Sequence, residues 1–140
     1  MKRSDRLATY TAVVLATGGG LLYGWALYFG ATEDEFGPVQ HPWVPTLQSL
    51  HVLTVPVFVF ALGLIWHSHI LARLRGRARR RTGVLLLAQA IPMVVSGYAL
   101  QVAVAAAWRE AWLWAHLVTS GLFCVAFVAH LVAGLRPARA

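Results

Sequence analysis

Charge is what this chain has least of. Only 12% of its 140 residues are charged and 59% are hydrophobic, with a mean hydropathy of +0.63. Soluble domains carry about a quarter charged residues, so a soluble globular fold is excluded. Cysteine is reduced to Cys124, inside an apolar run. No intrachain disulfide can form, the paired thiols of a membrane disulfide oxidoreductase are missing, and Cys124 reads as a small core residue. Acids number five: Asp5, Glu33, Asp34, Glu35 and Glu110. All lie near the ends of apolar runs, which speaks against a proton-coupled exporter, because that chemistry needs an ionisable group in the bilayer centre. No carboxylate pair lies in a span, and no nucleophile motif or phosphate-binding loop is present; Gly18, Gly19 and Gly20 sit within an apolar run, not after a strand. Hydrolytic and transferase chemistry are thereby excluded, and any catalysis is redox, with substrate chemistry left to a partner.

What the chain has in abundance is long apolar sequence. Four stretches, at about residues 7–30, 47–71, 82–107 and 111–135, each exceed the roughly 20 helical residues that cross a bilayer. None alternates strictly, and a closed transmembrane barrel needs at least about eight strands, so the spans are helices. The expected fold class is an all-α membrane protein, a four-helix transmembrane bundle forming one domain over residues 1–140. The first run follows Met1 to Arg6 as a signal peptide would, but it is too long for an h-region and lacks a clean cleavage site, so it is read as a retained span.

The formal net charge of +7 is confined to three segments: Lys2, Arg3 and Arg6; Arg73 to Arg81; and Arg136 with Arg139. Nucleic-acid binding is not expected, since basic-patch binders need a soluble scaffold to present the patch. Eleven of the twelve Lys and Arg residues fall on one side of the implied topology, so the positive-inside rule places both termini in the cytoplasm. The other side carries the segment from Thr32 to Pro45, expected to be an irregular loop on account of Gly37, Pro38, Pro42 and Pro45, and a short turn around Arg109 and Glu110. Trp25, Trp43, Trp108, Trp112 and Trp114 toward the outside and Trp66 toward the inside read as an interfacial aromatic belt.

Five of the six histidines lie in spans: His51, His67 and His69 on the second, His116 and His130 on the fourth. Ionisable residues are costly in a bilayer and default to function. A single such histidine is most simply an interhelical hydrogen bond, but here the spacing argues for more. His116 and His130 are fourteen residues apart, about 40° short of whole turns and roughly 21 Å along the axis. His51 and His69 are eighteen apart, five whole turns and roughly 27 Å. Both helices enter from outside, so His51 and His116 share an outer level, and His69 and His130 an inner one. Two imidazole pairs at two levels are what two six-coordinate haems need. The two separations differ by about 6 Å; choosing His67 narrows the gap to about 3 Å, yet His67 points about 160° away from His51 on a regular helix. Pro56, lying between, could shift that phase, so the inner ligand stays open between His69 and His67. Gly18, Gly19, Gly20, Gly24, Gly63, Gly97 and Gly121 are candidates for close approach of a porphyrin edge or for plain helix packing. Arg73 and Arg75, just inside His69, are candidate propionate contacts or lipid contacts.

The runs LHVLTVPVFVFALGLIWHSHI, RRTG after the basic segment, SGYAL and AHLVTSGLFCVAFVAH, from about Pro45 to Leu135, resemble the bacterial dihaem cytochrome b superfamily. That superfamily includes membrane subunits of formate dehydrogenase, hydrogenase and thiosulfate reductase. The resemblance implies two haem b groups ligated by His51, His69, His116 and His130. It implies transmembrane electron transfer in a multi-pass subunit of the bacterial cytoplasmic membrane, as part of a respiratory redox complex. The electron partner is then quinone or a periplasmic redox protein. The acids Glu33, Asp34 and Glu35 are expected either to steer a basic face of such a partner or only to complete the charge asymmetry. The main competing reading is a cofactor-free structural anchor or assembly subunit. A transition-metal transporter fits less well, since it would gather its ligands around one ion.

Overall fold

The computed structural model describes residues 2–76 and 80–135; Arg77, Arg79, Arg136 and Arg139 of the basic segments lie outside the described residues. In chain order the elements are α1 (Arg3–Tyr28), β1 (Thr32–Asp34), β2 (Gly37–Val39), α2 (Val44–Leu64), a π-helical turn (Trp66–Leu71), α3 (Ala72–Arg75), α4 (Arg80–Val102) and α5 (Ala106–Leu135). Of these, α1, α2, α4 and α5 are long and apolar enough to cross a membrane. Their outward side chains suit lipid: Leu53 is 67% exposed, Phe60 67% and Val125 70%. A lipid bilayer is the environment in which such a surface carries no hydration penalty, and helices satisfy their own backbone within it.

The chain divides into two compact units, Met1–Ser68 and His69–Ala140. In the first, α1 and α2 form an antiparallel hairpin. On α1 Thr9, Ala12 and Val13, three and four residues apart, are buried, as is Ala26 near its end; residues this small let helices approach closely in lipid. Buried Val44 and Phe58 of α2, and Ile65 just past its end, fall on one seven-residue series that also includes His51. In the second unit α4 and α5 pair in the same way. Ala90 and Ser96 of α4 and Phe123 and Ala126 of α5 are buried, and Phe123 stacks on Phe127 with ring centroids 6.2 Å apart. His116, Phe123 and His130 also recur at intervals of seven, so both histidines of α5 lie on its packed stripe.

Three features differ from the sequence expectation. The segment after α1 contains a β-hairpin pairing Thr32 with Val39, Glu33 with Pro38 and Asp34 with Gly37. It closes on a two-residue turn: Gly37 takes φ +114°, which favours glycine, and the Phe36 N–H donates to Asp34 Oδ1 at 2.7 Å. The prolines that suggested irregularity sit at the hairpin edge and beyond it. Secondly, the turn between the last two long helices comprises residues 103–105, not Arg109 and Glu110, which belong to α5. Ala105, Ala106 and Ala107 are strong helix formers and the Arg109 N–H donates to Ala105 O at 3.0 Å; a helix can outrun the apolar stretch that marks its span. Thirdly, α2 runs through Pro56 to Leu64, and the change of phase comes at the π turn. The constant step of about 100° per residue behind the five-turn spacing of His51 and His69 therefore ends before His69 is reached.

Candidate cofactor-binding site

The histidines of the helical hairpins are held in one recurring manner. In the first unit, His51 of α2 places Nδ1 3.1 Å from the main-chain oxygen of Ala16 on α1. In the second, His116 of α5 places Nδ1 3.0 Å from the main-chain oxygen of Met93 on α4. A carbonyl oxygen can only accept, so in both rings Nδ1 carries the proton and donates it. Nε2 is then the nitrogen that bears the ring's in-plane lone pair. Helical carbonyls already accept one bond from the residue four positions on, and a side chain there would crowd a second donor. In both cases that residue is glycine: Gly20 follows Ala16 by four and Gly97 follows Met93 by four. A Cβ at Gly20 would lie 2.9 Å from His51 Cε1, and one at Gly97 would lie 3.1 Å from His116 Cε1. The two glycines thus uncover a carbonyl and open a seat for an imidazole. An interhelical hydrogen bond in a membrane averages about 0.6 kcal/mol, too little to hold a hairpin together. Its main consequence is the tautomer and the ring orientation.

Further contacts complete these seats. Ser96 Oγ donates to Met93 O at 3.1 Å and lies 3.4 Å from His116 Nδ1, and Ser96 is buried. The ring of Tyr23 stacks near His51, with centroids 6.5 Å apart and an interplanar angle of 24°. His130 of α5 has Nδ1 3.0 Å from Thr82 Oγ1 of α4, and a Cβ at Gly83 would lie 3.8 Å from its Cε1.

Within the second unit the structure brings His69 and His130 together: their ring centroids are 6.1 Å apart and their planes nearly perpendicular, at 87°. Two imidazoles on opposite sides of one first-row metal ion, at roughly 2 Å per metal–nitrogen bond, have centroids roughly 6 Å apart. His67, two residues earlier in the π turn, is exposed, whereas His69 is half-buried. Arg73 and Arg75 are exposed residues of α3, within two turns of His69. His51 belongs to the first unit and His116 to the second. Among the described residues no cluster of three or more His, Cys, Asp or Glu side chains gathers. A haem iron draws four of its ligands from the porphyrin and takes only two from protein, so a pair of imidazoles spaced like His69 and His130 matches that donor set in number and type.

The glycine candidates separate into two groups. Gly19, Gly20 and Gly97 pack against imidazoles, while a Cβ at Gly18, Gly24, Gly63 or Gly121 would meet nothing within 4 Å. The residues that sequence reasoning passed over are the partners of the imidazoles: Ala16, Met93, Thr82 and Ser96. Two of them stood in plain view. RRTG and SGYAL each contain a hydroxyl residue followed by glycine, Thr82–Gly83 and Ser96–Gly97, fourteen positions apart. That interval equals the one between His116 and His130, as two antiparallel helices in contact at both levels require.

Compared with known proteins, the chain matches no family model, no curated protein and no solved structure.

Proposed function

We propose that this chain is a small membrane cytochrome b that carries electrons across a bacterial cytoplasmic membrane on two haem b groups. His69 and His130 are the ligands of an inner haem, and His51 and His116 those of an outer one; the outer pairing rests on sequence spacing. The observation that carries the reading is the repeated seat: imidazoles oriented by Nδ1 donation and backed by glycine, which leaves Nε2 as the ligating atom. Donation from the second ring nitrogen is what fixes and activates a histidine as a metal ligand. When bound, haem iron supplies a centre that takes up and releases one electron. The chain's own residues orient the imidazoles, exclude water by helix packing and present Arg73 and Arg75 near the inner pair as propionate partners. Both termini and the basic segment between α2 and α4 face the cytoplasm by the positive-inside rule. Electrons are exchanged with quinone or with a redox protein docked outside, as in a respiratory complex whose substrate chemistry lies elsewhere.

Reduced-minus-oxidised spectra and a pyridine haemochrome assay of the detergent-purified chain test this. Two non-covalent b haems are expected, since no Cys-x-x-Cys-His attachment motif exists. His51→Ala or His116→Ala removes one haem, and His69→Ala or His130→Ala removes the other; His67→Ala leaves both. A protein extracted from haem-replete membranes without haem sinks the reading. One observation favours a second reading, a cofactor-free anchor subunit: the edge-to-face contact of His69 with His130, and the hydrogen bonds to His51, His116 and His130, also serve as interhelical glue. The same spectrum decides between them.

A further inference from the structure

At His116 the nearest acceptor of the Nδ1 proton is a main-chain carbonyl, Met93 O at 3.0 Å, and the Ser96 hydroxyl is more distant at 3.4 Å. At His130 a side chain stands at the shorter distance, Thr82 Oγ1 at 3.0 Å. We propose that Thr82 is a positioning residue for His130, accepting its Nδ1 proton and so setting the ring's orientation and the electron donation of Nε2. The inference rests on the reading of His130 as a haem ligand.

Ligation through Nε2 requires the proton on Nδ1, because a neutral imidazole carries only one. The Thr82 hydroxyl must then act as acceptor in this bond, its own hydrogen directed elsewhere. The geometry surrounds the ring. Thr82 holds Nδ1, Gly83 leaves its Cε1 at ordinary contact distance, and the His69 ring stands edge-on at 6.1 Å. Thr82 and His130 are both half-buried, so the bond is shielded from competing water on part of its surface. Accepting a proton from Nδ1 pushes electron density toward Nε2, which favours ferric over ferrous iron and lowers the reduction potential of a bound haem. At His116 the equivalent influence comes mainly from the backbone, through Met93 O at 3.0 Å.

The test is an optical redox titration of the purified chain with Thr82→Val and Thr82→Ser. Valine matches threonine in shape and removes the acceptor; serine retains it. With Thr82→Val, the midpoint of the haem that His130→Ala eliminates is expected to rise. A three- to tenfold change in its ferric–ferrous equilibrium is expected, about 30–60 mV at ~59 mV per tenfold for one electron. Thr82→Ser should keep the parental midpoint. If Thr82→Val loses that haem outright while Thr82→Ser retains it, the positioning role is likewise supported. Loss in both variants overturns it, because serine keeps the hydroxyl. Two haems with unchanged midpoints in Thr82→Val overturn the role of Thr82 while leaving the cytochrome reading intact. A parental protein without haem overturns the cytochrome reading itself.

Discussion

Glycine is ordinarily a weak point in a helix, costing about 0.5–1 kcal/mol relative to alanine. Gly20 and Gly97 reverse the usual argument, because the absent Cβ is occupied by an imidazole edge. Gly20→Ala and Gly97→Ala should each raise intrinsic helix propensity and yet disturb the seats of His51 and His116. We expect haem content to fall from two equivalents toward one, with thermal stability of the apoprotein unchanged or slightly higher. Gly83→Ala is the control: its Cβ would sit 3.8 Å from His130 Cε1, an ordinary contact, so both haems should remain. A haem-to-protein ratio measured for the three variants checks the ranking, and equal occupancy in all three would refute it. From sequence alone these glycines were indistinguishable from Gly18, Gly24, Gly63 and Gly121. Which glycine faces an imidazole depends on how two helices are rotated against each other, and composition carries no record of that rotation.

Among the elements, the π turn Trp66–Leu71 has the largest effect on the candidate site. One extra residue per turn is widely associated with functional sites because it re-aims the side chains that follow. Here it delivers His69 to the ring of His130 and leaves His67 exposed. Inserting one alanine after Ser68 should carry His69 roughly 100° further about the helix axis, because the turn already holds its one extra residue. The inner haem should then be lost and the outer one kept, visible as loss of one component in the reduced-minus-oxidised spectrum. Retention of both haems would mean that His69 is not held by this turn. By contrast α5 is continuous from Ala106 to Leu135, and reckoning at a constant step from His116 to His130 applies to it without adjustment. Both of its histidines do reach α4.

At the scale of the whole molecule, the β-hairpin of residues 32–39 is a regular element outside the spans among the described residues. Glu33, Asp34 and Glu35 are exposed on it, with Phe36 at the tip 96% exposed. Three clustered acids attract a basic partner at long range, which raises the association rate more than the affinity and fades with salt. The combined variant Glu33→Gln, Asp34→Asn, Glu35→Gln removes the charge; asparagine at 34 keeps an acceptor for the Phe36 N–H. Electron exchange between the outer haem and its native outside partner should slow several-fold at low ionic strength, with haem spectra unaltered. A rate that stays constant, or falls equally at high salt, would assign the exchange to quinone instead.

Apolar run length and charge scarcity were enough, by themselves, to determine four long helices and a lipid environment, because crossing hydrocarbon demands about 20 apolar residues whatever their neighbours do. Histidine spacing was equally legible along α5, where regular helix geometry converts sequence interval into direction. The tertiary structure alone decided the rest. The choice between His69 and His67 as the ring against His130 turned on a π turn that apolar content does not signal. The acceptors Ala16 and Met93 are main-chain atoms, which every residue possesses and no side-chain pattern distinguishes. Only the packing of α1 on α2, and of α4 on α5, selected which carbonyl each imidazole meets.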